Sequence, residues 1–212
     1  MTEKEKVTNS EWVYWYDTND TWKYEITSVR YVLGEVFNPT KKKALICIGI
    51  NPSTAIPEIL DPTLKKVQKY AKDNDEYSAW YMINVYPQRA TDPNDMDIAE
   101  CYNETIHLEN IRQTKKLLEG LNCADIWCAW GRNILKRNYL KYCLNDILKT
   151  VIEYNEVHLK SFQFVHKKPI AEKPVHPLHP IASIKTEQKL SNFNIINYIE
   201  QNTLCTTNNL NA

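Results

Sequence analysis

The sequence predicts an α/β protein: a three-layer α/β/α arrangement around a central, mostly parallel four-stranded sheet. Two observations carry that expectation. Short apolar runs recur at 44–50, 78–86, 124–131 and 161–165, with segments of helical periodicity between them. The first run, Ala44 to Ile50, is continuously apolar rather than alternating, so both its faces must be covered.

Taken in order, the chain opens on an aromatic N-terminal extension, residues 1–25, whose "EWVYWYDTND" has no period. Residues 26–37, "ITSVRYVLGEVF", alternate as an edge strand or hairpin does, and both segments are expected to pack over the sheet. After the first central strand, "DPTLKKVQKYAKD" reads as a helix, with Asp61 in N-cap position, Pro62 at the first turn, and Leu64, Val67, Tyr70 and Ala71 at helical spacing. The second strand closes at Pro87, and a polar loop, 88–96, follows. Residues 98–120 form a helical stripe with Ile106, Ile111, Leu117 and Leu118, stopping at Gly120. The third strand, 124–131, leads into a helix through 134–153. A fourth strand at 161–165 precedes the loop "KPVHPLHP" and a helix near 184–200, and the tail 201–212 is expected to be disordered.

The 212 residues fit a single domain, 1–212, since no Gly/Ser/Pro-rich linker divides them. At 43% hydrophobic and 11% aromatic, the chain has enough apolar surface for a sizeable core. No stretch is long and apolar enough to span a membrane, and the charged start "MTEKEKVTNSEW" lacks the apolar centre of a signal peptide, so a cytoplasmic location is expected. Six cysteines, Cys47, Cys101, Cys123, Cys128, Cys143 and Cys205, show no Cys-x-x-Cys spacing and read as reduced thiols, with neither a metal nor another cofactor implied. Lys plus Arg equals Asp plus Glu at 26 each, which removes the global basic field that drives nonspecific nucleic-acid binding. The local clusters at 41–43, 135–137 and 166–168 read as solvated lysines and arginines beside strands.

In sheets of this kind the ligand crevice lies beyond the carboxyl ends of the strands. Here those ends carry Asn51-Pro52-Ser53-Thr54, then Asn84 with Tyr86 and Arg89, then Trp130-Gly131-Arg132, and finally His176 and His179. These are expected to converge. Asn51 can hold a water or substrate oxygen, or serve ordinary turn chemistry. Ser53 and Thr54 can donate hydrogen bonds, but nothing around them resembles a nucleophile elbow. Asp61 either caps its helix or polarises a water. Asn84, inside an apolar strand, is either a structural tie or a ligand contact. Arg89 suits an anionic oxygen, and the rigid His-Pro-Leu-His segment can aim an imidazole into the crevice.

With these residues collected, the chain resembles a bacterial and phage domain family of unknown function. The shared marks are Asn-Pro-Ser-Thr-Ala at 51–55, Asp-Pro-Thr at 61–63, a strand ending in Asn84 followed by Arg-Ala-Thr-Asp-Pro at 89–93, Trp-Gly at 130–131, and His-Pro-Leu at 176–178. The resemblance covers about residues 28–180. That layout is in turn similar to the uracil-DNA glycosylase superfamily, whose mismatch-specific branch ends its first strand in Gly-Ile-Asn-Pro-Gly. The resemblance implies that Asn51 of "GINPS" positions an attacking water, that Asn84 reads a base edge, and that His176 stabilises the departing base anion. It also implies departures: Ser53 stands in place of the final Gly, and Leu178 in place of a backbone-contacting Ser.

The function expected is therefore a glycosylase-like hydrolase acting on N-glycosidic bonds in DNA or nucleotides. Asn51, His176 and Asp61 would do the chemistry. Ser53, Thr54, Asn84, Tyr86, Arg89, Trp130 and His179 would line the substrate site, with Tyr86 as a stacking wall. The alternative is a noncatalytic nucleotide or modified-base binding protein, with Arg89 on a phosphate. A plain structural protein would instead have closed turns at every strand exit.

Overall fold

The computed structural model describes residues 10–18, 28–98, 101–154, 157–161, 174, 176–178, 191–192, 194 and 198. Among the described residues, seven strands form one mixed sheet: β1 (Glu11–Thr18), β2 (Ser28–Val36), β3 (Lys43–Gly49), β4 (Tyr77–Asn84), β5 (Cys123–Cys128), β6 (Val157–Ser161) and β7 (Ser191–Asn192), in the order β1-β2-β4-β3-β5-β6-β7. The pairs β4 with β3, β3 with β5, and β5 with β6 are parallel, and the outer pairs are antiparallel. The α/β class stands, and the four-stranded sheet is corrected to seven strands. The additional strands come from the aromatic segment, which is the edge strand β1, from the 26–37 region, which is β2 and lies one place in from that edge, and from β7. An antiparallel edge strand needs only one partner and no crossover helix, so its periodicity does not announce it.

The connections follow from handedness. The step β3 to β4 moves one way along the sheet, while β4 to β5 crosses back over β3 and β5 to β6 continues that way. Right-handed crossovers in opposite directions place their helices on opposite faces. Accordingly α1 (Pro62–Asp73) buries Leu64, Val67 and Ala71 against Leu45, Cys47, Trp80, Met82 and Trp127. On the other face, α2 (Glu104–Glu119) and α3 (Tyr139–Ile152) bury Ile106, Leu117, Leu118, Leu140, Leu144 and Ile147 against Ile46, Ile48, Tyr81, Ile83 and Ile126. Strand β3 supplies alternate residues to each cluster, which is why its sequence is apolar throughout.

Boundaries shift for local reasons. Helix α2 begins at Glu104, not 98, because the Asn103 side chain accepts from the Ile106 N–H at 3.3 Å and caps it there. Residues 131–135 make a 3-10 turn, so α3 starts five residues later than its periodicity suggests. The fourth central strand is 157–161, and residues 162–165 of the expected one lie outside the described residues, as does the tail 201–212. The helix expected near 184–200 contains the strand pair Ser191–Asn192, and its stretch 184–190 also lies outside the described residues.

Cys47, Cys128 and Cys143 are buried and Cys101 and Cys123 half-buried, while Cys205 is outside the described residues. Burial pushes the Cys143 thiol up to about 12, which keeps it protonated and inert. Among the described residues no group of His, Cys, Asp or Glu is placed to hold a metal, and no helix is long and apolar enough to cross a membrane.

Candidate functional site

The strand order reverses around β3, and its carboxyl end is where a crevice belongs. Gly49 pairs with Asn84, and Ile48 with Cys128. Pairing continues past the strands: Val85 and Tyr86 N–H donate to Gly49 and Ile50 carbonyls at 2.9 Å each, and Ala129 N–H to Ile48 at 3.1 Å. Asn51, Asn84 and Trp130 thus leave the sheet side by side. Gly131, at φ 59°, needs the left-handed region that glycine tolerates, and a Cβ there would sit 3.6 Å from His176 Cβ. The His-Pro-Leu segment is therefore seated on the exit of β5. His179 lies outside the described residues.

Asn51 donates through Nδ2 to the Ala90 carbonyl at 2.8 Å and to that of Pro52 at 3.3 Å. Both acceptors are carbonyls, so the amide orientation is set and Oδ1 faces away as an acceptor. Ala90 N–H returns a bond to Pro52 at 2.9 Å, stitching the two loops together.

Asp61 caps α1 through Oδ1, 2.8 Å from the Leu64 N–H, and its Oδ2 accepts from Ser53 Oγ at 2.5 Å. Of its two alternatives, the cap is what the geometry displays. Thr54 is exposed. Arg89 donates through Nε to Ser53 O, through Nη2 to Ala55 O and through Nη1 to Tyr14 Oη, each at 3.1 Å. It braces the 53–55 segment. Arg30, unnoticed in the sequence and 1% exposed, donates to the same Ala55 oxygen at 2.8 Å. Burial, and next the charge of Arg89, lowers its pKa to about 10, so it remains a cation at neutral pH.

Asn84 is fully buried, and neither its Nδ2 nor its Oδ1 meets a hydrogen-bond partner among the described residues. Its backbone carbonyl accepts from Asn110 Nδ2 at 2.8 Å. The amide lies over Gly49, where a Cβ would meet Asn84 Oδ1 at 2.9 Å and Met82 Cε within 2.4 Å. Glycine at 49 is what leaves the amide its room.

Tyr86 is fully buried too: its hydroxyl accepts from the Asn103 N–H at 3.1 Å and its ring packs 5.0 Å from Tyr139. It belongs to the core, where burial raises its phenol pKa, and it offers no open wall for stacking. Trp130 is buried with Nε1 donating to Tyr198 Oη at 3.1 Å. His176 is half-buried, and its Nδ1 accepts from the Leu178 N–H at 3.2 Å. With Nδ1 as the acceptor of that bond, the ring N–H is on Nε2.

Sequence reasoning missed Arg30, Asn110 and the cut-out at Gly49. A signal existed for the first: Arg30 interrupts the apolar stretch "SVRYVLGEV", but a strand read as an edge lets such a residue face water.

Compared with known families, the chain matches over residues 30–180 the family described as Protein of unknown function (DUF1643). No curated protein and no solved structure matches it. Since the match spans well over half of its length, the chain belongs to the DUF1643 family.

Proposed function

We propose that the carboxyl edge of β3, β4 and β5 is the active site of a glycosylase-like hydrolase that cleaves N-glycosidic bonds in DNA or nucleotides, on a three-layer architecture like that of the uracil-DNA glycosylases. The observation that carries this reading is the Asn84 amide, buried at the switch point with donor and acceptor both unpartnered among the described residues. A buried amide left so costs about 1–3 kcal/mol, and a base edge presenting one acceptor and one donor removes that cost.

The other groups take roles that their bonds permit. Asn51 Oδ1, held by the two carbonyls on Nδ2, accepts a hydrogen bond from a water and aims its oxygen at the sugar C1′. As the C1′–N bond breaks, its electron pair leaves with the base, and the His176 Nε2–H donates to the base oxygen that gathers this charge. The water oxygen bonds to C1′ and its proton ends on solvent or on the base. Asp61, Ser53 and Arg89 act through the loop they brace rather than on the substrate. In duplex DNA the base must first be flipped out.

The test is base release from single- and double-stranded oligonucleotides bearing uracil, mismatched or modified bases, and from free nucleotides, for the native chain and Asn51→Ala. Release that falls by about 100-fold or more in the variant is expected; unchanged release rejects the assignment. The bonding of both Asp61 oxygens, to Ser53 Oγ and to the Leu64 N–H, favours a second reading, a noncatalytic nucleotide or modified-base binder. Saturable binding without product distinguishes it.

A further inference from the structure

We infer that Arg30 and Arg89 together form an anion subsite for a phosphate group, at the same edge as Asn51 and Asn84. The inference deepens the functional reading above and rests on it for the choice of phosphate.

Two guanidiniums converge on one oxygen, the carbonyl of Ala55, and among the described residues the acceptors they meet are neutral: Ala55 O, Ser53 O and Tyr14 Oη. A guanidinium has five N–H donors; among the described residues Arg89 uses three of them and Arg30 one. The Arg30 Nε is buried with no partner among the described residues, in a side chain 1% exposed. Asp61 is the carboxylate that acts on Arg30, and it does so through space, because its oxygens are bonded to Ser53 and the α1 N-terminus. Among the described residues two cations thus face one anion where burial weakens solvation, an arrangement that a further anion stabilises.

Access fits this assignment. Arg89 and Ser53 are half-buried and Thr54 is exposed, so an oxyanion reaches the outer edge of the Arg89 fork while Arg30 adds its charge from beneath. A planar fork suits phosphate oxygens better than an ammonium does. Placed beside the amide that would read the base, the subsite selects a phosphorylated nucleotide unit over a nucleoside. That unit is either a free nucleotide or one residue of a strand.

The experiment uses the full chain. Its melting is followed with inorganic phosphate against chloride at equal ionic strength, and thymidine, thymidine 5′-monophosphate and thymidylyl-thymidine are titrated by calorimetry. Phosphate is expected to raise the melting temperature saturably, and a phosphorylated probe to bind about tenfold or more tighter than thymidine. Arg89→Lys, which keeps the charge and loses the fork, should erase most of that ratio. A tighter monophosphate points to free nucleotides and a tighter dinucleotide to a strand. Phosphate no better than chloride, or phosphorylated probes no tighter than thymidine, overturns the subsite, and the native chain decides this even if the variant fails to fold. Base release measured on the same samples judges the hydrolase separately: release without a phosphate effect removes the subsite alone, and a phosphate effect without release removes the hydrolase alone.

Discussion

The two ends of the parallel strands use similar polar residues to opposite effect. At the amino ends, Asp125 of β5 is fully buried, accepts from Tyr77 Oη at 2.8 Å and lies 2.9 Å from Lys43 Nζ, while His158 of β6 approaches its other oxygen at 3.5 Å. Nearby, Glu35 of β2 accepts from Lys72, Gln68 and Trp80. Each charge there has a partner that reaches it from another element. At the carboxyl ends, the amide of Asn84 and the Nε of Arg30 are equally buried and meet none among the described residues. Buried charges paired with an opposite charge specify a fold, whereas buried polar groups without a partner cost stability and persist where a ligand completes them.

Breaking the charge-paired end should have the largest effect. Asp125→Ala leaves Lys43 and the Tyr77 hydroxyl without their buried acceptor, and an unfolding free energy lower by about 3 kcal/mol is expected from urea titration. A loss under about 1 kcal/mol would mean that the network contributes little.

Next in size is Gly49→Ala. The added methyl group must displace Met82 and the Asn84 amide, at a cost of about 1–3 kcal/mol by thermal melting, with base release falling together with stability. Release that survives at full rate would detach Asn84 from the site.

A smaller effect comes from acid. Burial pushes the Glu35 carboxyl up, but the hydrogen bonds from Lys72, Gln68 and Trp80 outweigh it, and the net pKa is lowered. A carboxylate depressed in the folded state contributes stability that is complete above the ordinary glutamate pKa of about 4.3 and is lost as pH falls through the lower folded value. Native protein should therefore lose stability more steeply than Glu35→Gln below about pH 4. Equal slopes would show that the carboxylate gains nothing from its three donors.

Asn84→Leu sharpens the comparison most with the least change in stability. Replacing an unsatisfied amide by an apolar group of similar size is expected to leave unfolding unchanged or raise it by about 1 kcal/mol, while base release is lost. Destabilisation of about 2 kcal/mol or more would show the amide to be satisfied, and its ligand role would fall.

The sequence by itself determined the α/β class, the three central strands at 44–50, 78–86 and 124–131 to within a few residues, the cap and first turn of α1, and the concentration of polar residues just beyond the apolar runs. These follow from periodicity and capping, which neighbouring residues specify among themselves. What only the tertiary structure decided is which polar residues at those exits are already engaged. Asn84, Arg89, Tyr86 and Trp130 look alike as candidates along the chain. Arg89 is bonded to Tyr14, 75 positions away, and Trp130 to Tyr198, while the side-chain amide of Asn84 meets no hydrogen-bond partner among the described residues. The antiparallel edges were hidden for the same reason, since β1 and β7 depend on partners that local pattern does not name. A side chain's propensity is local, but the satisfaction of its donors and acceptors depends on whichever distant segment the fold brings to it.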